Sequence, residues 1–117
     1  MKLILVLGHT KCGAIKGACD DVKMGYLTPL LQKIKPAISN TKNYGISEHN
    51  QLYAEKVAYA NVVNSMEEIL QRSCIINELY REGMIGIVGG MFSIESGRVH
   101  FIKEMFLHRR KKVTQQM

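Results

Sequence analysis

Residues 2–13, KLILVLGHTKCG, carry an apolar run that ends in a glycine and is followed at once by a His-x-x-Cys pair. Leu3 to Leu7 hold Leu, Ile and Val without a polar break, which suits a strand buried on both faces of a parallel sheet better than a half-wet one. Periodicity alone leaves a short helix open. Gly8 breaks the run, and the loop leads into AIKGACDDVKMG, where Ala14, Ile15, Ala18 and Val22 recur at spacings of one, three and four. The pattern reads as strand, tight loop, helix. In open α/β sheets ligands bind in the crevice beyond the carboxyl ends of the strands, so His9 and Cys12 fall where chemistry is usual.

A neutral imidazole and a thiolate three residues apart can reach one zinc ion, at about 2.0 Å for nitrogen and about 2.3 Å for sulfur, if the loop turns between them. Taken without its setting, the same pair reads as a loop histidine beside a half-buried thiol. The setting at a strand end adds weight to the metal and leaves both readings open.

Working outward, residues 60–102 read ANVVNSMEEILQRSCIINELYREGMIGIVGGMFSIESGRVHFI. Together with GHTKCGAIKGAC, this stretch resembles the β-class carbonic anhydrases. The resemblance rests on Gly8, His9, Cys12, Gly13 and Ala14, then on Asn61, Val62 and Ser65. It continues through the apolar segment Gly83 to Gly89 and the hairpin Glu95 to Val99. Separated motifs in the right order span nearly the whole chain. The resemblance implies an α/β fold with a mainly parallel sheet flanked by helices. It also implies that His9 and Cys12 are two of three protein ligands to zinc, which the family uses to make hydroxide that attacks CO₂, giving bicarbonate and a proton.

The third ligand of the family is a cysteine in a Cys-x-Asp-Ser-Arg motif at the end of an earlier strand. No such motif occurs here, nor does the family's downstream Arg-Asn-Ala-Gly segment. The chain is therefore expected to be missing the first strands of the fold. Other residues do not replace the ligand. Cys19 is seven positions past Cys12, about 10 Å along a shared helix axis. Asp20 and Asp21 read as helix surface charge, Cys74 as a buried apolar thiol, and His49, His100 and His108 as surface or rim histidines. With only two protein ligands a catalytic zinc is weakly held and poorly oriented, so the isolated chain is expected to be a poor carbonic anhydrase. The competing reading is a non-catalytic remnant of the scaffold that acts through self-association.

Composition bounds the rest. The 117 residues are 46% hydrophobic and 22% charged, which fits one domain with one core, 1–117, and excludes a disordered chain. No apolar run approaches the ~20 residues of a membrane span, and the N-terminal run is interrupted by its own loop, unlike a signal sequence. Three cysteines without a disulfide framework favour reduced thiols, and the expectation is a soluble, cytoplasmic protein. The net charge of +6 is largely a tail, 108–117, in which Arg109, Arg110, Lys111 and Lys112 stand together. Setting those four aside leaves 12 basic residues against 10 acidic. Without interleaved aromatics the tail reads as a solvated run, and nucleic acid is not expected as a partner.

Thr28 and Pro29 read as the cap and first position of a helix through PLLQKIKPAI, disturbed at its end by Pro36. Ser47 reads as the cap of a long helix to about Gln71, with Leu52, Tyr59, Val63, Met66 and Leu70 on its buried face. Ser73 caps a further helix that Gly83 ends. Met84 to Val88 reads as a second buried strand, and Arg98 to Ile102 as a more exposed one. With the family's earlier strands absent, the strand Lys2 to Leu7 is left as an apolar edge, so a homo-oligomer is expected.

Overall fold

The structure is a computed structural model and describes residues 1–21, 25, 27–41 and 51–107. Its elements are β1 (Lys2–His9), α1 (Gly13–Cys19), α2 (Leu27–Gln32), α3 (Lys35–Ser39), α4 (Gln51–Arg72), α5 (Cys74–Arg81), β2 (Ile85–Phe92) and β3 (Val99–Met105). The sheet order is β1-β2-β3, with β1 parallel to β2 and β3 antiparallel to it. The expected α/β fold is present. Its short sheet is mixed, because a tight turn from β2 to β3 can only return the chain antiparallel.

The strand reading of Lys2 to Leu7 holds, but its burial does not. Only alternate residues of β1 turn towards the helices, where Ile4 and Val6 pack on the core, while Leu3, Leu5 and Leu7 remain 60%, 53% and 48% exposed. A strand's side chains alternate between faces, and α4 covers only one face of this sheet, so the leucine row is left open. β1 also lies at the edge of the sheet, as the sequence led us to expect.

The core forms where α4 crosses the covered face. Its buried row is Tyr53, Ala54, Val57, Ala58, Val62 and Met66. Of the five residues read as that row from the sequence, Met66 alone is fully buried, and Leu52 and Tyr59 are exposed. Glycines explain the shift. Bare backbone at Gly8 and Gly89 lets Val62 and Met66 settle onto the sheet, so the contact line follows the small residues of the helix. For the same reason β2 does not stop at Val88. It runs on through Gly89 and Gly90 to Phe92, with a register shift at that glycine pair.

The remaining helices are short. α2 begins at Leu27, so Thr28 and Pro29 lie inside its first turn, where proline still costs no hydrogen bond. Pro36 opens α3 as a separate helix. Ser73 caps α5, its Oγ accepting from the Ile76 amide at 3.2 Å, and Gly83 follows with φ 74°. Cys74, expected to be buried, is exposed at the start of α5, a helix that packs too loosely to bury any of its residues fully. Val22, Ser47, His49, His108 and the tail 108–117 lie outside the described residues. Among the described residues no helix is long and apolar enough to cross a membrane.

Candidate metal centre

β1 delivers His9 at its carboxyl end, paired with Phe92 of β2, and Cys12 follows as the residue that caps α1. Between them the chain must reverse within two residues. Lys11 makes the turn in the left-handed region, at φ 55°, where a side chain is disfavoured because Cβ crowds the next carbonyl. Both neighbours of the turn are fastened. The Thr10 amide donates to the Phe92 carbonyl at 2.9 Å, and Thr10 Oγ1 accepts from the Ile94 amide at 3.1 Å. The Lys16 amide donates to the Cys12 carbonyl at 3.0 Å.

His9 and Cys12 line one cavity of about 580 Å³. Asn61, Val62 and Ser65 of α4 line it too, so residues from two separated motifs of the sequence converge there. Val6 and Ile15 add apolar wall. His9 is exposed, and its Nδ1 lies 3.0 Å from the Thr10 carbonyl oxygen. A carbonyl can only accept, so Nδ1 carries the proton and Nε2 keeps the lone pair a metal would take. Cys12 is a half-buried free thiol.

The other candidates fall elsewhere. Cys19 is buried at the far end of α1 and Cys74 is exposed at the start of α5, and neither lines the cavity. Asp20 pairs with Lys16 at 3.1 Å and Asp21 with Lys35 at 2.8 Å, as surface carboxylates do. His100 is exposed on β3. Among the described residues no three His, Cys, Asp or Glu side chains gather to hold a metal ion. The nitrogen and sulfur donors of His9 and Cys12 suit zinc by type but make up only half of a closed coordination sphere.

Sequence reasoning missed Lys11 and Glu55. Glu55 of α4 accepts the Lys11 amide at 3.0 Å, and Glu95, in the β2–β3 turn, takes the Lys11 ammonium at 2.9 Å. The Glu95 carboxylate, by hydrogen bond and by charge, holds that ammonium above its ordinary value of 10.5. A 44-residue separation between Lys11 and Glu55 leaves no local spacing by which to find the pair.

A carbonic anhydrase family model matches residues 1–99. The chain belongs to the carbonic anhydrase family. It is 28% identical over 102 residues to a carbonic anhydrase of Mycolicibacterium smegmatis, covering 83% of this chain and 47% of that one. It is 26% identical over 101 residues to carbonic anhydrase 2 of Mycobacterium tuberculosis, covering 82% and 46%. Its fold is that of the β-class. A β-carbonic anhydrase from a study of two tetrameric enzymes of Sordaria macrospora superposes with a TM-score of 0.77 at 24% identity, over 90% of this chain and 54% of that one. The Coccomyxa β-carbonic anhydrase, in complex with acetazolamide, gives 0.75 at 20% identity, over 91% and 49%. The chain thus spans about half the length of the carbonic anhydrases it matches.

Proposed function

We propose that this chain holds the His9 and Cys12 half of a carbonic anhydrase zinc centre and takes part in reversible hydration of CO₂ to bicarbonate only where a third ligand is supplied to it. The observation that carries this reading is the single cavity lined by both His9 and Cys12 and walled by Asn61, Val62 and Ser65. When bound, zinc supplies the Lewis acidity that makes water a nucleophile near neutral pH. His9 offers Nε2 because the Thr10 carbonyl holds the proton on Nδ1. Cys12 offers a thiolate, and Val6, Ile15 and Val62 give an apolar wall suited to a small non-polar substrate. The third ligand would come from a segment bearing the family's Cys-x-Asp-Ser-Arg motif.

The test is zinc content and stopped-flow CO₂ hydration of the purified chain, alone and mixed with a polypeptide carrying that motif. Alone, the chain is expected to lose zinc on desalting and to hydrate CO₂ no faster than buffer. With the complement, one zinc per chain and measurable hydration are expected, and His9→Ala or Cys12→Ser abolishes both. Tight zinc and fast hydration by the isolated chain would overturn the half-site. Zinc uptake identical in wild type and His9→Ala would place the metal elsewhere.

A second reading has its own observation. The edge position of β1 and the open row Leu3, Leu5 and Leu7 favour self-association, the route by which a non-catalytic scaffold would act.

A further inference from the structure

We propose that Glu55 and Glu95 are positioning residues that clamp Lys11 in its left-handed conformation and so fix how Cys12 sits relative to His9. The inference rests on the reading of that pair as metal ligands, and it concerns residues that touch neither the cavity nor a metal.

Thr10 and Lys11 are the only residues between the two candidate ligands, so their backbone angles largely set how the chain carries Cys12 relative to His9. Thr10 is fixed by hydrogen bonds to Phe92 and Ile94. Lys11 is the residue that could relax, since φ 55° is disfavoured for any side-chain-bearing residue and an extended or right-handed angle is open to it. Such a change would swing the chain after Lys11 and carry Cys12, at the head of α1, away from the cavity wall. Two carboxylates oppose it from different elements. Glu55 reaches from α4 to the Lys11 amide at 3.0 Å, and a carboxylate bound to a backbone amide is the stronger kind of hydrogen bond. Glu95 reaches from the β2–β3 turn to the Lys11 ammonium at 2.9 Å. That turn is itself closed by hydrogen bonds: the Gly97 amide donates to the Ser93 carbonyl and the Ser93 amide to the Arg98 carbonyl, each at 2.8 Å.

The two clamps differ in strength. Lys11 and Glu95 are both more than half exposed, so their ion pair is screened and weak. Glu55 grips the backbone at the strained residue, so it carries the larger share.

The experiment combines amide spectra of the full-length chain with Co²⁺ titration followed by thiolate-to-cobalt absorption. Glu55→Ala is expected to double or shift the signals of Thr10 to Gly13 while those of α5 and β3 stay in place. It should weaken Co²⁺ binding about tenfold, the loss of one charge-assisted hydrogen bond. Glu95→Ala should weaken it about twofold, as an exposed ion pair would. Adding Lys11→Gly to Glu55→Ala should restore both readouts, because glycine takes the left-handed angle without help. A merely destabilised fold would not be rescued at that one position. Glu55→Ala with wild-type loop signals, or a double variant that is not restored, overturns the clamp. A wild-type chain that takes no Co²⁺ even with the motif-bearing polypeptide added overturns the ligand reading instead, and the loop signals still decide the clamp.

Discussion

Gly89 of β2 lies directly beneath Met66 of α4: a methyl group in place of its hydrogen would run into the Met66 sulfur and stand 2.9 Å from Val62 Cγ1. Met66 is fully buried, so its end has no free space to move into. Gly89→Ala is therefore expected to destabilise the chain by about 1–3 kcal/mol, the usual cost of overpacking a filled core. Gly13→Ala is the control. Among the described residues nothing lies within 4 Å of its added methyl, and alanine is the better helix former, so stability should hold or rise by up to about 1 kcal/mol. Urea denaturation of both variants checks the pair, and equal midpoints would show that α4 is not seated on the glycine.

The Ser73 hydroxyl satisfies one of the free amides at the start of α5, a helix that buries none of its residues fully. With little packing to hold it, the helix depends on its cap. Ser73→Ala is expected to cost about 1 kcal/mol, with the loss seen first as faster hydrogen exchange at Ile76 and Asn77. Exchange unchanged at those amides would mean that the cap contributes nothing.

These two sites differ in how far they could be read in advance. The Ser73 cap and the Gly83 stop were legible because capping is local: a side-chain oxygen and a positive-φ glycine at fixed offsets. The strand before His9 was legible for the same reason. What covers that strand was not, because the row Leu3, Leu5, Leu7 looks identical in sequence whether another layer lies on it or not. The buried face of α4 was misplaced by a scan for large apolar residues, since Ala54 and Ala58 are buried through close approach rather than bulk. Cys74 was misjudged because a thiol's burial depends on how closely its helix packs on the rest of the fold, and α5 buries none of its residues fully. At the candidate centre the residue types and the loop were legible from the motif, whereas the carboxylates that hold Lys11 arrive from 44 and 84 positions away along the chain.

The Lys11–Glu95 pair should respond to alkali and not to mild acid or base. Glu95 raises the Lys11 ammonium above 10.5, so the contact's contribution is fully present below that value and fades as pH rises through the higher, folded-state value. The side-chain carbon signals of Lys11 Cε and Glu95 Cδ are expected to stay fixed from pH 6 to about 10 and to move only above 10.5. Movement centred near neutrality would assign the contact to another group.

Leu5 occupies the middle of the open row on β1, opposite Val88 on the neighbouring strand, with Phe101 of β3 exposed on the same side of the sheet beyond Gly90. An edge strand with unpaired backbone and an apolar face beside it is a surface that a second copy can cover, by adding its own edge and its own leucines. Burying one leucine contributes about 1.5–3 kcal/mol, so Leu5→Glu is expected to weaken self-association at least tenfold while leaving the helix-covered core intact. Sedimentation velocity over a concentration series reads this directly. Wild type should shift to larger species as concentration rises, and Leu5→Glu should stay at the mass of one chain. Wild type that remains a single chain throughout would mean that something other than a second copy covers this face.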